Sequence, residues 1–472
     1  MNKKVFSWKV GTIIMAVLCI ALTAALALTW MQCFEPEKAG TEDPDKTTTT
    51  FVSGIIVNDQ GQPVVASVEV VDLESKTKIR RQTDLLGRYE IELPLGDYEF
   101  TFSKGFEYER ESLLVSLQDR LRYRPSPVTL SRTVNWNDAG WYCGDLHQHT
   151  SYSDGYQDVG TVFLSDLANG LDFGFITDHN SVDGLAEWSR GGQLMTGGGC
   201  ELFTAIPGME VTTEMGHYNS LGTSALVDDS TTSGKDDIQR IADDIHKAGG
   251  IAQINHPFLT DGMGFTEWSV LNSFDTYELW NGKGVTNEGA NLMAKEKWFS
   301  LLNDGIYLPA TAGSDNHDVT GNYPWRRDDE TSASKLWIER GLYSGMPRNY
   351  VYCPEGADAD AVLSGILAGN SFITNGPLID FRLGKAIPGE QIPFAEEQEL
   401  MIHLYDQRGL ESAVLLENGI PIHEFSVENQ NEQNIRLTVP VKDGSWYVLE
   451  VTGSQGGYAI TNPVFVGSFS GE

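Results

Sequence analysis

The chain has 472 residues, 40% of them hydrophobic, with 33 Lys plus Arg against 66 Asp plus Glu and a formal charge of -33. So acidic a surface repels a phosphate backbone, so no polymeric nucleic acid is expected as a partner. The length exceeds one ordinary core and predicts two or three domains, most of the chain being soluble.

Lys3, Lys4 and Lys9 precede an apolar, uncharged stretch at 10–31, and Glu35, Glu37, Glu42 and Asp43 follow it. That stretch matches the roughly 20 residues a helix needs to span a bilayer. The charge asymmetry keeps the amino terminus in the cytoplasm and puts the rest outside. Residues 1–34 are thus expected to be a transmembrane anchor, with the catalytic part extracytoplasmic. The triplet Ala25-Leu26-Ala27 also resembles a cleavage site, so a removed signal segment and a secreted chain stand as the alternative. Residues 35–50, rich in Pro, Glu, Asp and Thr, read as a linker.

From 51 to 132, short β-branched runs alternate with turn signals, which predicts a small all-β sandwich. The turn Asp84-Leu85-Leu86-Gly87 and the segment Leu93-Pro94-Leu95-Gly96-Asp97-Tyr98 resemble the carboxypeptidase regulatory-like, transthyretin-type β domain. The resemblance implies a spacer or recognition module, and no His or Cys lies between 51 and 131.

From 133 to 380 apolar runs alternate with longer helical patterns. Strands are expected at 173–177, 205–207, 251–254, 277–280 and 308–312, and helices at 158–169, 234–248 and 288–302. This alternation predicts an α/β domain built as a barrel. Residues 381–472 return to β texture, with turns such as Asn418-Gly419, and predict a second β-sandwich. Five cysteines, at 19, 33, 143, 200 and 353, form no Cys-x-x-Cys pair. One disulfide among the last three remains open.

The ends of the α/β strands carry the chemistry. A strand is expected over Trp141 to Thr150, whose period of two points His147 and His149 to one side, and downstream 173–177 leads into Asp178-His179, 205–209 into Glu210, 251–255 into His256, and 310–314 into Asp315-Asn316-His317. In a parallel barrel that end is the face on which active sites are built. Six of the chain's nine histidines (His147, His149, His179, His217, His256, His317) sit here beside turn residues. With Asp154, Glu210 and Asp315 they make nine imidazole or carboxylate donors without a thiolate. Nine donors exceed what one ion takes, so two or three divalent ions are expected, Zn, Mn or Fe by donor type.

In order, His147-Gln148-His149, Ser153-Asp154-Gly155, Thr177-Asp178-His179, Glu210, Gly216-His217, Asn255-His256-Pro257 and Ser314-Asp315-Asn316-His317 resemble the motifs of the polymerase and histidinol phosphatase (PHP) superfamily. Asp178-His179-Asn180-Ser181, the segment Pro207-Gly208-Met209-Glu210-Val211-Thr212 and Thr374-Asn375-Gly376-Pro377 further resemble its carbaryl-hydrolase-like branch. The resemblance implies a distorted (β/α)7 barrel with a di- or trinuclear metal centre that hydrolyses phosphoesters or other esters by attack of metal-bound hydroxide. By motif, it implies one ion on His147, His149, Glu210 and Asp315, a second on Glu210, His217 and His256, and a third on Asp154, His179 and His317.

Catalytic roles are expected for Asp315 and His256 in proton transfer and for Arg348 as a clamp on an anionic substrate, with Arg326 and Arg327 as further cations. Asn180 and Asn281 are candidates to bind substrate, and Asp178 to orient a ligand ring. His246, His403 and His423 read as structural or exposed. The expected substrate is a small phosphomonoester or phosphodiester. A carbamate or carboxylic ester is the alternative, and a non-catalytic surface binding protein is the rival of another class.

Overall fold

The computed structural model describes residues 49–118, 122–197, 203–230, 234–260, 262–282, 289–320, 343–427 and 430–469. The expected anchor, residues 35–48 of the expected linker, Arg326, Arg327 and Cys200 lie outside the described residues, while Thr49 and Thr50 of that linker already belong to the first strand. Among the described residues no helix is long and apolar enough to cross a membrane.

The amino-terminal strands form two sheets. Thr49–Val57 pairs with Arg88–Pro94 and Val128–Thr129, while Lys78–Gln82, Ser67–Asp72, Gly96–Ser103 and Glu111–Leu117 form the other. Alternation in Arg88–Pro94 buries Tyr89, Ile91 and Leu93 against Val52, Ile56, Val68, Phe100 and Phe102. Gly87 turns the chain at φ 68°, where an added Cβ would lie 2.4 Å from the Ile56 carbonyl oxygen. The strand Lys78–Gln82 escapes a reading by alternation because three of its five residues are basic. Its buried Arg80 donates to Ser67 Oγ at 2.6 Å and reaches Asn169 Oδ1 at 2.7 Å, so the charge is spent on joining this unit to the next.

The central region is mixed, sheet-rich α/β. Trp141–Asp145, Phe173–Ile176 and Thr204–Thr213 run parallel. Gly216–Leu221 returns antiparallel, and Ile251–Ile254, Thr276–Asn281 and Ala310–Gly313 resume the first direction. On the other side Arg348–Tyr352 pairs antiparallel with Trp141–Asp145. No ladder pairs Ala310–Gly313 with Arg348–Tyr352 among the described residues. Instead the buried amide of Asn349 accepts from Ala312 N at 2.9 Å and donates to Ala312 O at 2.7 Å. Two backbone groups are thereby satisfied by one side chain at the seam.

Helices cover the outside. Val159–Ala168 is capped by Asp158, whose side chain accepts from Thr161 N, and Lys235–Lys247 buries Ile238, Ile241, Ala242 and Ile245 at helical spacing. Gly289–Asn303 is the third expected helix, while Leu185–Gly197 and Ala359–Ala368 are additional.

In the carboxy-terminal region Glu397–Glu417 forms one long strand. It changes partners at a bulge between Tyr405 and Leu410, where Gly409 sits at φ 103°. This sheet is continuous with the central one, because Ser371–Thr374 pairs with Gly457–Thr461. Leu416, Trp446, Val448 and Ile460 share a core with Ile254, Tyr277 and Ala312. Residues 381–472 therefore extend the central sheet. Cys143 and Cys353 are buried free thiols, each raised to about 12 by burial, so neither forms the disulfide left open by the sequence.

Candidate metal centre

Six strands point their carboxyl ends the same way, and the antiparallel Gly216–Leu221 begins at that end, so His217 arrives there from the opposite direction. Asp145, wholly buried, fastens the rim by accepting from His147 N, Ser314 N and Gly345 N at 3.2, 3.0 and 2.6 Å. Asp315 N donates to His147 O at 2.8 Å and His149 N to Asn316 O at 3.0 Å, which stitches the first and last motifs together.

Asp178 accepts from Thr150 N at 2.7 Å, Thr150 Oγ1 at 2.6 Å and Ser153 Oγ at 2.6 Å. It thus shapes the loop that carries Asp154, where an orienting bond to a ligand ring was expected. Asn180 is tied to the Thr212 backbone through both amide atoms, and Asn281 donates to Glu278 Oε2 at 3.1 Å. Both amides brace the site. Asn180, His256 and Asp315 adopt φ of 49, 26 and 49°. Such left-handed backbone at residues other than glycine costs on the order of 1–3 kcal/mol each and concentrates where a site over-determines the chain.

All nine expected donors converge. They fall into four overlapping groups whose ligand atoms lie within 4.8 Å of one another: His147, Glu210 and His256; His147, His149 and Asp315; His179, Glu210 and His217; and His149, Asp154, His179 and His317. The grouping differs from the one implied by motif, since His256 stands with His147, and His149 joins the Asp154 group. Glu210 is the hub. Its Oε1 lies 3.2 Å from His217 Nδ1, 3.2 Å from His256 Nε2 and 3.3 Å from His147 Nε2, and its Oε2 lies 2.8 Å from His179 Nδ1. Asp315 Oδ1 is 3.1 Å from His149 Nε2, and Asp154 Oδ1 is 3.1 Å from His317 Nε2.

Burial alone would raise Glu210 and Asp315. The surrounding imidazoles, His147 first for both, override it and hold the two carboxyls well below their ordinary values. Burial likewise opposes charge on His147, yet Glu210, Glu278 and Asp315 raise it well above the usual imidazole value. His179 is raised to about 9 by Glu210 against the same burial penalty. His149, buried and 4.2 Å ring to ring from His317, is lowered to about 4 by burial and by that neighbour. The pocket is therefore a set of ionised carboxylates that demands positive charge beside it.

Divalent ions fit that demand. His147 Nε2 and Glu210 Oε2 are buried without a hydrogen-bond partner, the donors are all nitrogen or oxygen, and the carboxylates of Glu210 and Asp315 are already ionised.

Arg348 is not part of this site. Its side chain is buried, donates from Nε to Gly345 O at 2.8 Å and from Nη1 to Asn169 O at 3.0 Å, and lies 4.0 Å over the Phe106 ring. Strand alternation turns Asn349 to the seam and Arg348 outward, against the amino-terminal unit, so the expectation of a substrate clamp is corrected. His246 and His403 pair with Asp275 and Glu432 at 2.8 Å, away from the centre.

Sequence reading passed over Glu278, a carboxylate 1% exposed inside the strand Thr276–Asn281. It lies 3.0 Å from His147 Nδ1 through Oε1 and accepts from His256 N at 2.7 Å through Oε2. An acid inside an otherwise apolar run was the available signal. Beside the centre, a cleft of about 740 Å³ is lined by Thr212, Thr213, Glu214, His217, Asp229, Gly262 and Met263.

No protein-family model and no curated protein matches the chain. Solved structures similar to it include a two-domain protein from Bacteroides vulgatus described as containing a predicted PHP-like metal-dependent phosphoesterase. It is 16% identical with a TM-score of 0.40, over 70% of this chain and 94% of that one. A protein from Bifidobacterium adolescentis assigned as a metal-dependent phosphoesterase is 12% identical, with a TM-score of 0.28, over 37% and 87%. An amidohydrolase from Chromobacterium violaceum with bound sulfate and no metal is 16% identical, with a TM-score of 0.26, over 37% and 87%.

Proposed function

We propose that the chain is a metal-dependent hydrolase of the PHP type that cleaves a small phosphomonoester or phosphodiester. The observation that carries this reading is the convergence of nine imidazole and carboxylate donors in four overlapping groups at one rim of the sheet. Two or three divalent ions, when bound, supply Lewis acidity that acidifies water and offsets charge on phosphoryl oxygens. His147, Glu210 and His256 would hold the innermost ion, with His149, Asp154, His179, His217, Asp315 and His317 holding the rest. Asp315 is assigned the proton acceptor's role: its side chain is 18% exposed, its Oδ1 lies 3.1 Å from His149 Nε2, and the imidazoles around it, His147 first, keep it ionised. His256, at 4% side-chain exposure, is better placed to fix Glu210 than to meet substrate. In this reading the strands form a distorted (β/α)7 arrangement, the amino-terminal unit is a carboxypeptidase regulatory-like spacer, and the stretch at 10–31 anchors the protein with its site outside the cytoplasm.

A second reading, a carbamate or carboxylic-ester hydrolase, draws support from the cleft. Its wall beside His217 carries Glu214, Asp229 and Met263 and, among the described residues, no Lys or Arg. Such a wall suits a neutral substrate better than an anion.

Purified full-length chain loaded with Mn or Zn should release nitrophenol from bis(p-nitrophenyl) phosphate, and His179→Ala or chelation should abolish the release. Turnover of a naphthyl carbamate in its place would decide for the second reading. Failure of metal-loaded protein on both substrates would remove the enzymatic reading.

A further inference from the structure

We infer that Glu278 is the positioning residue for the innermost metal group, an inference that rests on the reading of this rim as a metal centre. One carboxylate grips two of the three members of that group by different means. Oε1 lies 3.0 Å from His147 Nδ1, and Oε2 accepts from the backbone N–H of His256 at 2.7 Å. The first contact decides a tautomer. A proton on Nδ1, donated to Glu278, leaves Nε2 with its lone pair, and Nε2 is the atom that lies 3.3 Å from Glu210 Oε1 and lacks a hydrogen bond. The second contact holds a backbone that would not persist alone, since His256 sits at φ 26°. Asn281 Nδ2 donates to the same Oε2 at 3.1 Å and fixes the carboxylate in its turn.

The Cβ of a residue replacing Gly313 would lie 2.7 Å from Glu278 Oε1 and 2.2 Å from His147 Cβ, so the glycine keeps the space through which the two side chains meet. The outer group of His149, Asp154, His179 and His317 includes neither His147 nor His256. Glu278 therefore acts on the groups that contain His147 or His256, foremost the inner one that contains both, and not on the outer one.

The test compares metal content and chelator competition in the parent chain and in Glu278→Gln, which keeps the shape but cannot accept from both N–H groups. The variant should lose one equivalent of metal, or bind it roughly 10–100-fold more weakly, while the outer group of His149, Asp154, His179 and His317 keeps its ion and the metal-free variant remains folded by circular dichroism. Retention of every equivalent at parental affinity would overturn the inference. A parent that takes up no ion would instead defeat the reading of the rim as a metal centre. Should the variant not fold, nitrogen-15 spectra of the zinc-loaded parent decide: a proton on Nδ1 of His147 supports the assignment, and one on Nε2 refutes it.

Discussion

The two ends of the donor cluster are held in different ways. His147 and Glu210 have wholly buried side chains and His256 is 4% exposed, all three on or beside strands whose backbones are tied across the sheet. At the other end His179 and His317 are 23 and 18% exposed, and Asp154, on a loop shaped by Asp178, is 57% exposed. The difference teaches that preorganisation is graded across the site. The inner donors are fixed by the fold before any ligand arrives, whereas the outer donors pay ordering entropy when one binds. The outer position should accordingly exchange ions faster.

The largest effect expected from breaking this contrast comes from its hub. Glu210→Gln removes the carboxylate shared by the inner and outer halves, and turnover should fall on the order of 1,000-fold, several kcal/mol of transition-state stabilisation. Metal analysis should show both halves depleted, and a variant that kept the outer ions at full affinity would mean that the halves are independent.

Arg348 marks the boundary between what holds the scaffold and what holds the chemistry. Arg348→Met strands the carbonyls of Asn169 and Gly345 and should cost roughly 3 kcal/mol in urea unfolding. The turnover number of the folded fraction should stay at the parental value. A raised KM with unchanged stability would return Arg348 to the substrate.

The smallest expected change sharpens the comparison from the outside. Asp154→Asn should raise the metal concentration needed for half-maximal turnover by about tenfold, with the inner ion resisting a chelator as it does in the parent. Equal loss of all ions would show that the gradient in burial does not translate into a gradient in affinity.

How much of this was legible before folding differs by residue. Alternation in Arg88–Pro94 and helical spacing in Lys235–Lys247 are visible because one face of each meets water. Strands such as Ile251–Ile254 and Ala310–Gly313 are buried on both faces, so their sequence marks a strand without saying which face turns inward. That ambiguity hid the opposite fates of the neighbours Arg348 and Asn349, and it hid Glu278.

By itself, the sequence determined which side chains can act and that they recur at strand ends, because composition and local period are properties of the chain. Only the tertiary structure decided which donors share an atom of Glu210, which carboxylate stands behind His147, and that Arg348 is spent on a contact between units. Those are distances between residues as many as 179 positions apart along the chain, and no local pattern encodes them.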